Sequence, residues 1–229
     1  MAIAALSLRP AANEDSFDIP PEDQLFESIA LDLLCQGYSV QTNALPIDLQ
    51  TMLHHHVMHM PEYKFDEAAV GRQQSHQQAS HIRNDQIAWI NGESCAGAAW
   101  LQWMQALQVY LNRRLFLGLF SFESHFAHYA PGHFYQRHFD AFKGDANRVL
   151  STVTYLNPDW QSAQGGELII YPQPGAEQGV KVVPELGTLT VFLSEEFEHE
   201  VCPSSRDRYS IAGWFRVNST KADRVDPPR

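Results

Sequence analysis

The stretch YQRHFDAF, residues 135–142, sets His138 and Asp140 two positions apart. On a β-strand, side chains at i and i+2 share a face, so an imidazole and a carboxylate can reach one metal ion from a rigid platform. A third donor has to come from elsewhere. His199, in FEHEVCP, lies 59 residues beyond Asp140 in a later strand-like run. Two histidines and one carboxylate make a facial triad that leaves adjacent coordination positions open, the donor set of non-haem Fe(II) oxygenases. A His-x-Asp pair alone fits a partly exposed strand equally well, so its company matters. Nine residues after His199 comes Arg208, which can hold a distal carboxylate in a two-pronged, charge-assisted grip. An arginine there also fits a surface ion pair. Alternation from Arg208 puts Ser210, Ala212 and Trp214 on its face of the strand. The small residues leave room for a cosubstrate, and the tryptophan makes a wall.

A second histidine cluster competes for attention. TMLHHHVMHM, residues 51–60, holds four of the eleven histidines. Leu49, Met52, Leu53, Val57 and Met60 form a helical apolar stripe, with His56 at its edge. His55 and His59 are four apart on another face, a spacing that can grip zinc. No cysteine or carboxylate at ligand spacing joins them, so they read as a solvated face. His125, His128 and His133 crowd the run before His138, and alternation puts His128 and His133 at the rim rather than among the ligands.

The elements that must carry these residues follow from periodicity and turn signals. PEDQLFESIALDLLCQG predicts a helix with Glu22 and Asp23 in its first turn and Leu25, Phe26, Ile29, Leu33 and Leu34 at helical spacing. Gly37 is its expected stop. A second helix starts near LPIDLQTM. AAWLQWMQALQVYLNRRLFLG predicts the longest helix, ending at Gly118. RNDQIAWI reads as a strand, closed by a turn at Asn91-Gly92. From about 119 to 217, eight short β-rich runs alternate with turn segments such as NPDW, QGG and PELG. That order predicts one domain over 1–229, mainly β with supporting helices. Its parts are a loose lead-in (1–21), a helical buttress (22–118) with a finger loop at 66–82, a sandwich or barrel core (119–217) and a flexible tail (218–229).

Composition excludes several classes. The 229 residues include 16 Lys and Arg against 27 Asp and Glu, a formal net charge of −11. That repels nucleic acid and anionic membranes, and no basic run offsets it. A protein or small-molecule partner is expected. Three scattered cysteines, Cys35, Cys95 and Cys202, argue against a disulfide framework and for a reducing cytoplasm. No stretch reaches the ~18 apolar residues that a membrane helix needs. The opening MAIAALSL is too short to read as a targeting segment.

Between about residues 80 and 217 the chain resembles the Fe(II)- and 2-oxoglutarate-dependent prolyl 4-hydroxylases. The likeness is to the branch holding the hypoxia-inducible-factor prolyl hydroxylases and their bacterial relatives. It rests on RNDQIAWI, HYAPG, YQRHFD, RVLSTVTYLNPDW, GGELIIY, TVFLSEEFEHEV and RYSIAGWF, in order and at family-like spacing. The resemblance implies a double-stranded β-helix (jelly-roll, cupin-like) core. It implies His138, Asp140 and His199 as iron ligands, with Arg208 and Tyr155 on the C5 carboxylate of 2-oxoglutarate. Tyr129 falls at the cosubstrate's other end, and Trp214 on the pocket wall. Arg148 and Asp85 fall near a peptide substrate. The implied cofactors are Fe(II), 2-oxoglutarate and O2, with ascorbate admitted as a reductant. The implied reaction is C4 hydroxylation of a prolyl residue in a protein, with succinate and CO2 as coproducts. In the bacterial branch the resemblance suggests elongation factor Tu as substrate. Two departures touch the substrate mouth: Asn84 stands where the family has glycine, and 130–137 is one residue shorter than in the animal enzymes. Other readings stay open: an oxygenase of another side chain or a free amino acid, and a non-catalytic metal-binding jelly-roll sensor.

Overall fold

The computed structural model describes residues 21–67, 82–141 and 147–218. The expected lead-in, most of the finger loop and the tail lie outside the described residues, apart from their end positions. Among those described, three α-helices precede most of the β-structure: α1 (Pro21–Gln36), α2 (Ile47–Met58) and α3 (Cys95–Leu115). Strands β1 (Tyr38–Gln41), β2 (Asp66–Glu67) and β3 (Gln86–Trp89) are interspersed with them. There follow β4 (Ser121–Tyr129), β5 (Tyr135–His138), β6 (Arg148–Tyr155), β7 (Leu168–Tyr171), β8 (Val180–Val182), β9 (Leu189–Leu193), β10 (Glu198–Val201) and β11 (Arg208–Arg216).

The strands form two antiparallel sheets. One has seven strands in the order β1-β9-β6-β11-β4-β3-β2, the other four in the order β5-β10-β7-β8. This is the jelly-roll core expected, with one correction. Besides the strand expected at RNDQIAWI, which is β3, the 22–118 segment adds β1 at one edge of the large sheet and β2 beside β3 at the other. YSVQ carries no sustained alternation that would announce a strand. Its identity comes from pairing with Phe192 to Leu189 of β9.

Alternation along the large sheet sorts side chains into two cores. Phe126, Leu150, Leu189, Val191, Ile211 and Phe215 face the helices. Ala127, Tyr129, Tyr155 and Phe192 face the small sheet, where Leu168, Ile170, Val182 and Val201 meet them. Each fully buried side chain of this size contributes roughly 1.5–3 kcal/mol of hydrophobic stabilisation.

Helix α3 shows why the helices sit where they do. Ser94 caps it by accepting a bond from the Gly97 amide at 3.0 Å. Trp100, Trp103, Met104, Leu107 and Leu111 then recur at three- and four-residue spacing and are buried. The buried Trp100 indole N–H is satisfied by Ser124 Oγ at 3.1 Å. The helix ends before the expected Gly118. Phe116 takes the left-handed conformation (φ 55), and Asn112 bonds both the amide and the carbonyl of Leu119. Gly37 ends α1 as expected, with φ 80 and its amide on Leu33. Two stripe assignments were too wide, since Leu34 on α1 and Met52 on α2 are exposed.

Candidate active site

The small sheet and the inner face of the large sheet converge on one cluster. His138 at the end of β5 lies directly across from His199 on β10. Asp140 follows two residues after His138. The ligand atoms of these three residues all lie within 4.8 Å of one another. His138 Nε2 is 3.7 Å from Asp140 Oδ1, and His199 Nε2 is 3.6 Å from Asp140 Oδ2. No other such group of three occurs among the described residues.

Each donor is oriented from behind. His138 Nδ1 lies 2.7 Å from the Gln136 carbonyl, and His199 Nδ1 lies 3.2 Å from the Phe197 carbonyl. A carbonyl only accepts, so each Nδ1 carries the proton and each Nε2 lone pair is left facing Asp140. The His138 ring stacks on Tyr135 at 3.6 Å, and the His199 ring meets the edge of Phe192 at 4.7 Å. Ser151 Oγ donates to Asp140 Oδ2 at 2.6 Å and lies 2.9 Å from Ser194 Oγ. Burial pushes the His199 imidazole down to about 4. Burial works against the Asp140 charge, but His199, His138 and the Ser151 hydroxyl outweigh it and hold the carboxyl below its usual range. At neutral pH the cluster therefore offers an anionic carboxylate beside a neutral imidazole, which is what a divalent cation requires.

Deeper in the core lies a guanidinium that meets no carboxylate among the described residues. Arg208 opens β11 and is 1% exposed. Its Nε donates to the Gly166 carbonyl at 2.8 Å and its Nη1 to Ser210 Oγ at 3.2 Å. Gly166 has φ +76, and a Cβ there would come within 3.0 Å of Trp160 and 3.3 Å of Arg208 Cδ. Only glycine lets this carbonyl approach so closely. Arg208 Nη2 and the Tyr155 hydroxyl are both buried without a hydrogen-bond partner among the described residues. The rings of Tyr129 and Tyr155 lie 5.0 and 5.2 Å from the guanidinium centre. Burial pushes the Tyr155 hydroxyl up to about 12, so it stays a donor. Burying a cation without a counter-ion is costly, and a carboxylate placed between Arg208 Nη2 and the Tyr155 hydroxyl would offset that cost.

The remaining expected residues are already engaged with protein partners. Asp85 takes a two-pronged bond from Arg83 at 2.7 and 2.6 Å. Arg148 pairs with Glu123 at 3.0 Å, and its guanidinium centre lies 3.8 Å from the Trp214 ring. Glu123 is shared with Arg216 at 3.3 Å. Tyr129 sits against Arg208 on the neighbouring strand. Of the rim histidines, His128 pairs with Asp207 at 2.7 Å and stacks on Tyr209. His55 and His59 stack on each other at 4.1 Å on an exposed face of α2, with no third ligand among the described residues. Sequence reading missed Arg83, Glu123, Tyr135, Ser151 and Ser194. Of these, only Arg83, at i−2 from Asp85, carried a local signal.

His125 gives the site a pH signature. It is buried between Trp89 and Trp214, at 5.2 and 5.5 Å. Burial pushes its imidazole down to about 4. The unfolded chain, with an ordinary histidine near 6.5, therefore binds the proton first. Stability is full above about pH 6.5 and falls as pH drops towards 4, by up to ~1.4 kcal/mol per pH unit for one such group. His199 adds the same trend in metal-free protein. Urea unfolding at pH 7, 6 and 5 should show this loss, and His125→Gln should flatten it. An unchanged slope in that variant would remove His125 as a source.

A family model described as the 2OG-Fe(II) oxygenase superfamily matches residues 124–216. A crystal structure of a Pseudomonas putida prolyl-4-hydroxylase is 39% identical. The match covers 85% of this chain and all of that one, with a TM-score of 0.75. This chain belongs to the 2OG-Fe(II) oxygenases, in their prolyl hydroxylase group. A Trichoplax adhaerens prolyl hydroxylase, solved with a hypoxia-inducible-factor peptide fragment, is 28% identical with a TM-score of 0.76, covering 85% of this chain and 90% of that one. Human prolyl hydroxylase EGLN3 is 33% identical over 143 residues, 59% of each chain. The chain thus spans about three fifths of the length of that curated relative. The family's metal is Fe(II), and its cosubstrates are 2-oxoglutarate and O2. The residues of this oxygenase fit both: two imidazoles and a carboxylate suit Fe(II), and the orphaned donors of Arg208 and Tyr155 suit a buried carboxylate. No helix among its described residues is long and apolar enough to cross a membrane.

Proposed function

We propose that this protein is a prolyl 4-hydroxylase acting on a proline in a loop of a protein substrate. The observation that carries the reading is the pairing of two sites in one core. The His138–Asp140–His199 cluster could hold the metal, and the buried donors of Arg208 and Tyr155 suit a carboxylate. In this reading His138, Asp140 and His199 hold Fe(II). Arg208 and Tyr155 bind the far carboxylate of 2-oxoglutarate, with Tyr129 against the same guanidinium. When bound, iron, 2-oxoglutarate and O2 supply the oxidation of an unactivated C–H bond, with succinate and CO2 as coproducts.

The chain's own residues do the rest. The two carbonyl-anchored imidazoles keep their Nε2 lone pairs directed inward. Ser151 fixes the Asp140 carboxylate. Arg208 and Tyr155 orient the cosubstrate, so that no freedom is lost at the moment of reaction. Phe192, Tyr135 and Trp214 wall the site against water. Trp214, Arg148 and the Arg83–Asp85 pair frame the mouth where a peptide would lie. A net charge of −11 favours a protein partner over nucleic acid or an anionic membrane. The three cysteines are free, which supports the cytoplasm as its compartment.

Elongation factor Tu is the substrate to test first. A bacterial lysate incubated with the protein, Fe(II) and 2-oxoglutarate, with His199→Ala as control, is read by peptide mass spectrometry. The expected result is a one-oxygen gain on a defined proline, absent with the variant. A gain on another residue type keeps the oxygenase and removes the proline reading. No gain on any protein removes the protein-substrate reading.

A further inference from the structure

Two of the three proposed metal donors stand at the edge of the small sheet. His138 ends β5 and Asp140 lies just beyond it. Within the small sheet β5 pairs with β10 alone, while its other side meets residues 82–84 through the Arg83–Tyr135 bridge and the Gln136 amide on the Ile82 carbonyl at 2.8 Å. The ladder between β5 and β10 is short. His199 faces His138, Val201 faces Tyr135, and the register shifts in between. The bonds to residues 82–84 hold the strand, but the shifted β5–β10 ladder does not by itself fix the spacing between the two imidazoles.

The outer face of the same sheet carries what the ladder lacks. Arg137 directly precedes His138, Glu198 directly precedes His199, and alternation turns both away from the site. Arg137 donates from Nε to Glu198 Oε2 at 2.9 Å and from Nη2 to the same oxygen. Its Nη1 donates to the Ala176 carbonyl at 2.7 Å. Its guanidinium centre lies 3.6 Å from the Tyr171 ring, and Tyr171 faces Glu198 across β7 and β10. Glu198 also accepts from the Gly175 amide at 3.3 Å, while the Tyr171 hydroxyl donates to Glu200. One row therefore ties β5, β10 and β7 together one residue behind the donors. The side chains of Arg137 and Glu198 are only 27% and 23% exposed, so water screens the pair incompletely.

We propose that Arg137, Glu198 and Tyr171 form a positioning clamp that sets the separation of His138 and His199 and hence the metal affinity. The inference rests on reading His138, Asp140 and His199 as the metal donors. Strand backbone is stiff from one residue to the next, so fixing the outer row fixes the inner one. The flat guanidinium serves two purposes, gripping the carboxylate and lying on the tyrosine face, which a lysine cannot reproduce.

The test is Co(II) binding to the full-length metal-free protein, by calorimetry and by the visible Co(II) absorption bands, with Tm recorded for each variant. Arg137→Ala and Glu198→Gln should each weaken Co(II) binding about tenfold or more and shift the bands, as losing an outer support of a metal site does. Arg137→Lys should recover part of the affinity. The exchanged double variant R137E/E198R should bind more tightly than either of its single changes. Wild-type affinity and bands in both Arg137→Ala and Glu198→Gln would overturn the clamp, as would a lower Tm with Co(II) affinity unchanged. If Asp140→Asn binds Co(II) as tightly as the wild type, the donor assignment falls and the clamp with it.

Discussion

Asp140→Asn should reduce hydroxylation to the level seen without enzyme while leaving the fold intact. Asparagine has the same size, and its amide oxygen can still accept the Ser151 hydroxyl bond that Asp140 takes at 2.6 Å. What it removes is the only anion among the three donors. A dication beside uncharged donors in a poorly hydrated core has lost its one compensating charge, and at these separations that Coulomb energy is the largest single contribution to binding. The effect should appear twice: in succinate and hydroxyproline formation, and in Co(II) calorimetry. Circular dichroism and Tm should stay near wild type. Wild-type turnover in this variant would remove Asp140 from the donor set.

Arg208→Met should raise the KM for 2-oxoglutarate by ~30-fold or more, the lower end of what truncating one partner of a buried charge pair costs. The stability consequence runs the other way. Without cosubstrate, Arg208 is a 1% exposed cation with an unpartnered Nη2. Methionine has a similar stem and no charge to bury, so the ligand-free variant should be at least as stable as the wild type. The rise in Tm that 2-oxoglutarate induces should shrink or vanish. A variant that is less stable without the ligand, yet still responds to 2-oxoglutarate as the wild type does, would make Arg208 a structural residue instead. Tyr155→Phe should move KM in the same direction by less, because it removes a neutral donor and not a charge.

The donor set was visible in the chain itself. The His-x-Asp spacing is legible in the chain, but a strand period is not what brings the pair together: β5 ends at His138, and Asp140 reaches the cluster from a bend just past the strand. Arg208 was visible through the strand period of two, with Ser210 and Trp214 following at that period on its face. The strand runs after 119 were equally legible, because turn residues punctuate them. The far end of α3 was not. Gly118 was the residue any chain-level rule would choose, but Asn112 reaching forward to Leu119 closed the helix at Phe116.

What surrounds the donors was hidden because its contacts join distant parts of the chain. Ser151 meets Asp140 across 11 residues, Arg137 meets Glu198 across 61, and Arg216 meets Glu123 across 93. None of these pairs has a spacing that a helix or strand period would mark. The short strands β1 and β2 were hidden for a related reason. Two to four residues carry too little alternation to stand out, and they exist as strands only because β9 and β3 offer them an edge. Residue chemistry and spacing point to which side chains could hold a metal, and the chain carries both without folding. Whether those side chains meet at 3.6 Å, are neutral or charged, and are held from behind is decided by register and burial. Both of those arise only when strands far apart in the chain come together.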